Sequence, residues 1–227
     1  MYRFDRKLRL LLFNEIEKIE IAIRSCMTNA ASEFFNDLFW ITNPAYFYNM
    51  QNFQYTQDTI DAELKKSKED FILHFQSAYT DSYPPAWMIA EILPLGMLCR
   101  IYTNLKDNVI KKRIAQHFGL QVPVFSSWIV ILAGLRNMCC HHCRTWNREL
   151  AVITTEPRRT QFGWINSSRT DKRRMYYRIC MIRYFLFTVS PGNTFEDKLK
   201  ALLAAYPNID TRAMGFPAGW ENEDIWK

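Results

Sequence analysis

Glycine and proline are scarce in this chain, at 7 and 9 of 227 residues. That scarcity excludes collagen-like and low-complexity classes and disfavours a turn-rich β-sandwich. No apolar run approaches the ~18–20 residues of a membrane span. The longest stretches are 87–99, interrupted by Glu91 and Pro94, and 124–135, which is short and contains Ser126 and Ser127. A signal-peptide pattern is missing, because Met1 leads into a segment carrying charges throughout. There is no 20–50-residue repeat, no strand–helix–strand alternation, and no glycine pattern of a phosphate loop or dinucleotide site.

What is present is core-forming material. Hydrophobic residues make up 48% and aromatics 15%, enough for a packed interior. Charged residues, at 23%, exclude wholesale disorder. The six cysteines are Cys26, Cys99, Cys139, Cys140, Cys143 and Cys180. Without a signal peptide they read as reduced thiols of a cytoplasmic protein.

The net charge of +6 is uninformative until it is cut into segments. Residues 1–100 carry 10 basic and 13 acidic groups, and residues 201–227 carry 2 and 4. Residues 101–200 carry 17 basic against 6 acidic groups, and 11 of the 17 are Arg. Arg suits bidentate phosphate contacts, so a polyanion is the expected partner of this stretch. The competing reading is a solvated helical face.

Helical periodicity dominates. Phe4, Leu8, Leu12, Ile16, Ile19, Ile23, Met27 and Ala30 recur at three- and four-residue spacing, which predicts one long helix over 4–31. Thr42-Asn43-Pro44 stops the short helix that follows. Further helices are expected over 56–79, over 85–105 with a kink at Pro94, over 107–118 ending at Gly119, and over 124–143. Residues 149–168 read as a loop with one short extended piece. Ser167 or Ser168 is expected to cap a helix over 169–189, Thr194 to start another through Tyr206, and the tail around Met214–Trp220 to be irregular and anchored by aromatics. The expectation is one all-α domain over residues 1–227.

One cluster could do chemistry. Arg136, Asn137, His141, His142, Arg144, Asn147 and Arg148 directly follow the apolar run 128–135. Zinc is one reading, since Cys139 and Cys143 are i,i+4 on a helix. No second Cys or His pair stands at finger-like spacing, so buried cysteines acting as small hydrophobes are favoured, and no metal is expected. The other reading is an Arg-x4-His pair. His exchanges protons near neutral pH, and Arg steadies charge developing on a phosphate. Together they suit metal-free RNA cleavage by 2′-hydroxyl attack, with no cofactor. On an ideal helix Arg136 and His141 stand about 140° apart. Either the helix is irregular there, or two copies complete one site.

The run from Leu135 to Arg148 resembles the signature of the Abi-like (AbiD/AbiF-type abortive infection) family of the HEPN superfamily. The segments Tyr2–Arg9 and Ile19–Arg24, Pro84–Met88 with Glu91 and Gly96, and Met214–Pro217 with Trp220 and Trp226 resemble its other blocks in order. The resemblance implies an all-α HEPN-like helical bundle with additional C-terminal helices. It implies a homodimer, a bacterial phage-defence or toxin ribonuclease, and Arg136, Asn137 and His141 as the catalytic group. Family members carry several tens of residues ahead of the first block, which here follows Met1 at once, so a family segment is expected to be absent.

On that reading RNA is the substrate, with an inhibitory RNA or protein as a further partner and no membrane. His142, Arg144, Asn147, Arg148, Glu20 and Arg24 would support the site. Arg158, Arg159, Lys172, Arg173, Arg174 and Arg178 would guide RNA by phosphate contacts, and Trp146 would stack on a base or pack in the core. The alternatives are a non-catalytic RNA-binding scaffold with the same fold and a zinc-stabilised interaction module.

Overall fold

The computed structural model describes residues 1–227. Nine α-helices carry the chain: α1 (Tyr2–Phe35), α2 (Met50–Lys66), α3 (Asp70–Ala78), α4 (Ala86–Ile92), α5 (Leu95–Asn104), α6 (Asn108–His117), α7 (Val122–Cys140), α8 (Met175–Val189) and α9 (Phe195–Ala204). No strand forms, so the fold is all-α as the periodicity predicts. The chain divides into two compact units. One comprises residues 1–20 and 118–227, the other 21–117.

In the first unit α8 is the centre. Its residues from Met175 to Ile182 are buried without interruption. A helix apolar all round is an interior helix. Phe118, Phe125, Trp128, Tyr184 and Phe185 stack edge and face between α7 and α8. From α1, Phe4, Leu8, Leu12 and Ile16 are fully buried. Each such side chain contributes about 1.5–3 kcal/mol through burial.

The tail is anchored by aromatics, as expected. Phe216, Trp220 and Trp226 gather on Tyr176. The Tyr176 hydroxyl donates to Glu223 (2.6 Å) and accepts from Trp226 Nε1 (3.0 Å). A Cβ on Gly163 would sit 2.2 Å from the Asp224 carbonyl oxygen, so glycine is what lets loop and tail touch.

In the second unit α2 packs on α4 and α5. The buried Asn104 amide ties the start of α2 to the end of α5: it donates to Asn49 O and accepts from Asn49 N, both at 3.0 Å.

Several boundaries differ from expectation for local reasons. The predicted 56–79 helix is two helices. The first starts at Met50 because Asn49 accepts from Asn52 N (2.8 Å), a side-chain cap. Ser67 and Glu69 are extended and separate it from α3. Pro94 breaks rather than kinks its helix, because it pushes Leu93 into the extended region (ψ 140°). The helix expected from 169 begins at Met175, and Ser167–Arg169 form only one 3-10 turn. The loop before it contains no strand.

Helix α7 runs 19 residues, longer than the apolar run 124–135 alone suggests. It is long and apolar enough to cross a membrane by length and composition, although half of its apolar window is buried inside the protein.

Candidate active site

The candidate motif lies where α7 ends, in the first unit. The helix stays regular through Cys140, and His141 is its C-cap (φ −86°, ψ 12°). His142 follows in the left-handed region at φ 56°. The Cys143 amide donates to Met138 O (3.0 Å), and the His142 amide donates to Cys139 O (3.3 Å). These two bonds make a Schellman motif, whose left-handed position is normally glycine. Holding histidine there costs on the order of 1–2 kcal/mol.

The chain beyond this turn is pinned by the start of α1. Asp5 is 5% exposed, and its Oδ1 accepts from Thr145 N (2.9 Å), Thr145 Oγ1 (2.6 Å) and Trp146 N (2.8 Å). Its Oδ2 pairs with Arg9, one helical turn on, and Arg9 Nη1 donates to Cys143 O (3.2 Å). Asp5 and Arg9 therefore hold residues 143–146, and with them the histidine turn. Sequence reasoning placed neither residue in the site. The i,i+4 acid–base spacing of Asp5 and Arg9 was the available signal.

Arg136 and Glu20 come together. Arg136 Nε stands 3.5 Å from Glu20 Oε2, in ion-pair range but outside hydrogen-bond geometry. The Glu20 side chain is only 11% exposed, against 37% for Arg136. Asn137, His141, His142, Arg144 and Arg148 are exposed. Val130, Gly134, Asn137 and His141 form one exposed stripe along α7. Trp146 is half-buried.

His142, not His141, lines a cavity of about 280 Å3 with Arg6, Arg9, Leu10, Phe13, Cys139 and Cys140. Burial pushes the Cys139 thiol up to about 12, which keeps it protonated and inert. All six cysteines are free, and no three His, Cys, Asp or Glu side chains are grouped to hold a metal ion.

The structure does not gather the whole expected RNA-guiding set. Arg178 is fully buried, a correction to its expected place on a basic surface. Its Nη1 donates to Lys172 O and its Nη2 to Val152 O (2.6 Å), so it ties the 149–174 loop to α8. Burial lowers its guanidinium to about 10. Lys172 is paired with Glu156 (2.5 Å), Arg173 with Glu149 (3.2 Å) and Arg174 with Asp171 (3.6 Å). Arg174 also donates to Asn147 Oδ1 (3.2 Å), which commits Asn147 to loop structure. Arg158 and Arg159 are exposed and make no ion pair. Arg24 lies in the second unit, bonded there to Leu93 O (3.4 Å) and 3.6 Å from Glu91.

Residues 1–147 match the model of a protein family described as Abi-like protein. No curated protein and no solved structure matches the chain.

Proposed function

The chain belongs to the Abi-like protein family, and on that premise we propose that it is a metal-independent endoribonuclease of the HEPN type, serving abortive infection or a related toxin role. The observation that carries the reading is the paired display at the end of α7. Arg136 is held beside Glu20, and the two histidines sit on a turn that is itself fixed by Asp5 and Arg9. A guanidinium beside a carboxylate and an exposed imidazole supply the two roles that RNA self-cleavage needs.

In this mechanism the RNA 2′-oxygen attacks its adjacent phosphorus and the bond to the 5′-oxygen breaks. His141 takes the proton of the attacking 2′-hydroxyl and the departing 5′-oxygen receives one, so that it leaves as a hydroxyl; Arg136 steadies the charge on the phosphoryl oxygens, and Asn137 orients the phosphate. Because α7 is regular through Cys140, Arg136 and His141 leave it in different directions. A second copy across a two-fold axis, meeting along the exposed stripe from Val130 to His141, would bring one chain's pair near the other's. Arg158 and Arg159, with Arg144 and Arg148, would contact RNA phosphates.

The test is incubation of the purified protein with structured and unstructured RNA in EDTA. Wild-type protein should cleave, and Arg136→Ala and His141→Ala should not. Binding without cleavage by the wild type would leave the non-catalytic RNA-binding reading in its place. His142→Ala separates the two histidines: it should retain cleavage if His141 carries the proton and lose it if the cavity-lining His142 does.

A further inference from the structure

The segment Pro84–Met88 with Glu91 lies wholly in the second unit. There Trp87, Met88 and Glu91 line a cavity of about 540 Å3, with Ile21, Arg24 and Phe71. That volume lies in the range of small-ligand sites. Its walls are unusually exposed for large apolar groups: Trp87 is 45% and Ile21 57% accessible. Lone exposed apolar side chains need no explanation, but two that converge on one cavity beside an aromatic partner mark a binding surface.

The polar side of the cavity carries a cation beside a carboxylate, together with Ser25, Thr28 and Asn29. Arg24 is fixed, with its side chain 14% exposed and Nη2 bonded to Leu93 O (3.4 Å). Glu91 lies 3.6 Å away and is 58% exposed, so its carboxylate can turn to a ligand at little cost. The two charges offset each other. A cation and a carboxylate side by side suit a neutral, flat ligand with acceptors and donors along one edge better than a bare phosphate or carboxylate. A nucleobase stacked on Trp87 has that form.

Among the bases, guanine presents an acceptor, O6, followed by two adjacent donors, N1–H and N2–H. The donors match the two oxygens of Glu91, and the acceptor matches the Arg24 guanidinium. Adenine and cytosine offer a single exocyclic amine on that edge, and uracil a single N–H. We propose that this cavity is a guanine-binding pocket, taking the base from a free nucleotide or from single-stranded RNA. The proposal extends the RNA reading to the second unit, but its readout is equilibrium binding, so loss of cleavage and loss of this site are distinguishable.

The test titrates full-length protein with GMP, AMP, CMP and UMP by calorimetry. It then titrates the His141→Ala protein with an oligoadenylate hexamer carrying one central G, and with the all-A hexamer. GMP should bind at least about tenfold tighter than the other three, as expected for one well-made bidentate contact. Glu91→Gln should bring the four nucleotides to within about threefold of one another. Trp87→Ala should weaken all of them by about 5- to 100-fold, the loss expected of one stacking platform. Both substituted side chains are about half exposed, and the wild-type selectivity stands as a test if either variant misfolds. With guanine preference present in both formats, a G-containing hexamer that binds more tightly than GMP identifies a strand as the source, and GMP binding at least as tightly as the hexamer identifies the free nucleotide. Four nucleotides binding alike, no binding in either format, or an unchanged preference in Glu91→Gln would overturn the proposal.

Discussion

Asp5 and Thr145, 140 positions apart, meet through a 2.6 Å hydrogen bond from the Thr145 hydroxyl to Asp5 Oδ1. Thr145 is fully buried, and the same carboxylate oxygen takes two backbone amides. The first turns of α1 thus serve as the clasp for the chain that follows the histidines.

Removing the clasp should be costly. Asp5→Ala would leave the Thr145 hydroxyl, two amides and the Arg9 guanidinium without their acceptor. Breaking such a buried charged network costs about 3–5 kcal/mol. Urea denaturation should show a loss of that size, with RNA cleavage falling in parallel. Asp5→Asn, which keeps one acceptor oxygen, should lose less. An Asp5→Ala protein within about 0.5 kcal/mol of wild type would contradict the assignment.

His142 should be a position where the native residue costs stability. Its left-handed backbone is natural for glycine. His142→Gly should therefore stabilise the fold by about 1 kcal/mol, raising Tm by roughly 2–4 °C for a chain of this size. A lowered Tm would mean that the imidazole itself holds the turn.

The arginines should divide into phosphate contacts and structural ties. Arg158→Ala with Arg159→Ala should reduce the salt slope of RNA binding by about 1.4, from two lost single-strand phosphate contacts. Arg178→Met should leave that slope unchanged and lower stability instead, because Arg178 serves two loop carbonyls. A slope altered by Arg178→Met and untouched by the Arg158 and Arg159 pair would reverse the assignment.

Thiol labelling should follow burial. Desolvation raises the Cys139 thiol to about 12 and the Cys26 thiol to about 11, and raises Cys180 well above its ordinary value. At pH 8 the buried Cys139 and Cys180 should resist iodoacetamide while the half-buried Cys140 and Cys143 react, as read by peptide mass spectrometry, and the half-buried Cys26 should lag behind those two because its thiol is raised. Rapid labelling of Cys139 in folded protein would show that the end of α7 opens.

The fold was legible in the chain because apolar residues at three- and four-residue spacing have few other uses. Phe4, Leu8, Leu12 and Ile16 predicted a buried face, and all four are buried. Breaks were legible only where a residue forces them, and the Leu93–Pro94 break is stronger than a kink because the residue before proline becomes extended. The split at 67–69 has no Gly or Pro to announce it. At the site, the Arg136-x4-His141 spacing could be read directly, but its support could not. Asp5 acts on a turn 140 residues away, and local patterning carries no information about such a pairing. Arg178 shows the same limit from the other side, since a basic cluster in sequence gave no sign that one member is interior.

The most direct test of the account is the chemistry of the RNA ends. Attack by the 2′-oxygen leaves a 2′,3′-cyclic phosphate and a 5′-hydroxyl. Wild-type protein in EDTA should leave these ends, and Arg136→Ala and His141→Ala should abolish them. Products with 3′-hydroxyl and 5′-phosphate ends, cleavage that requires added divalent cation, or cleavage unaffected by His141→Ala would contradict it.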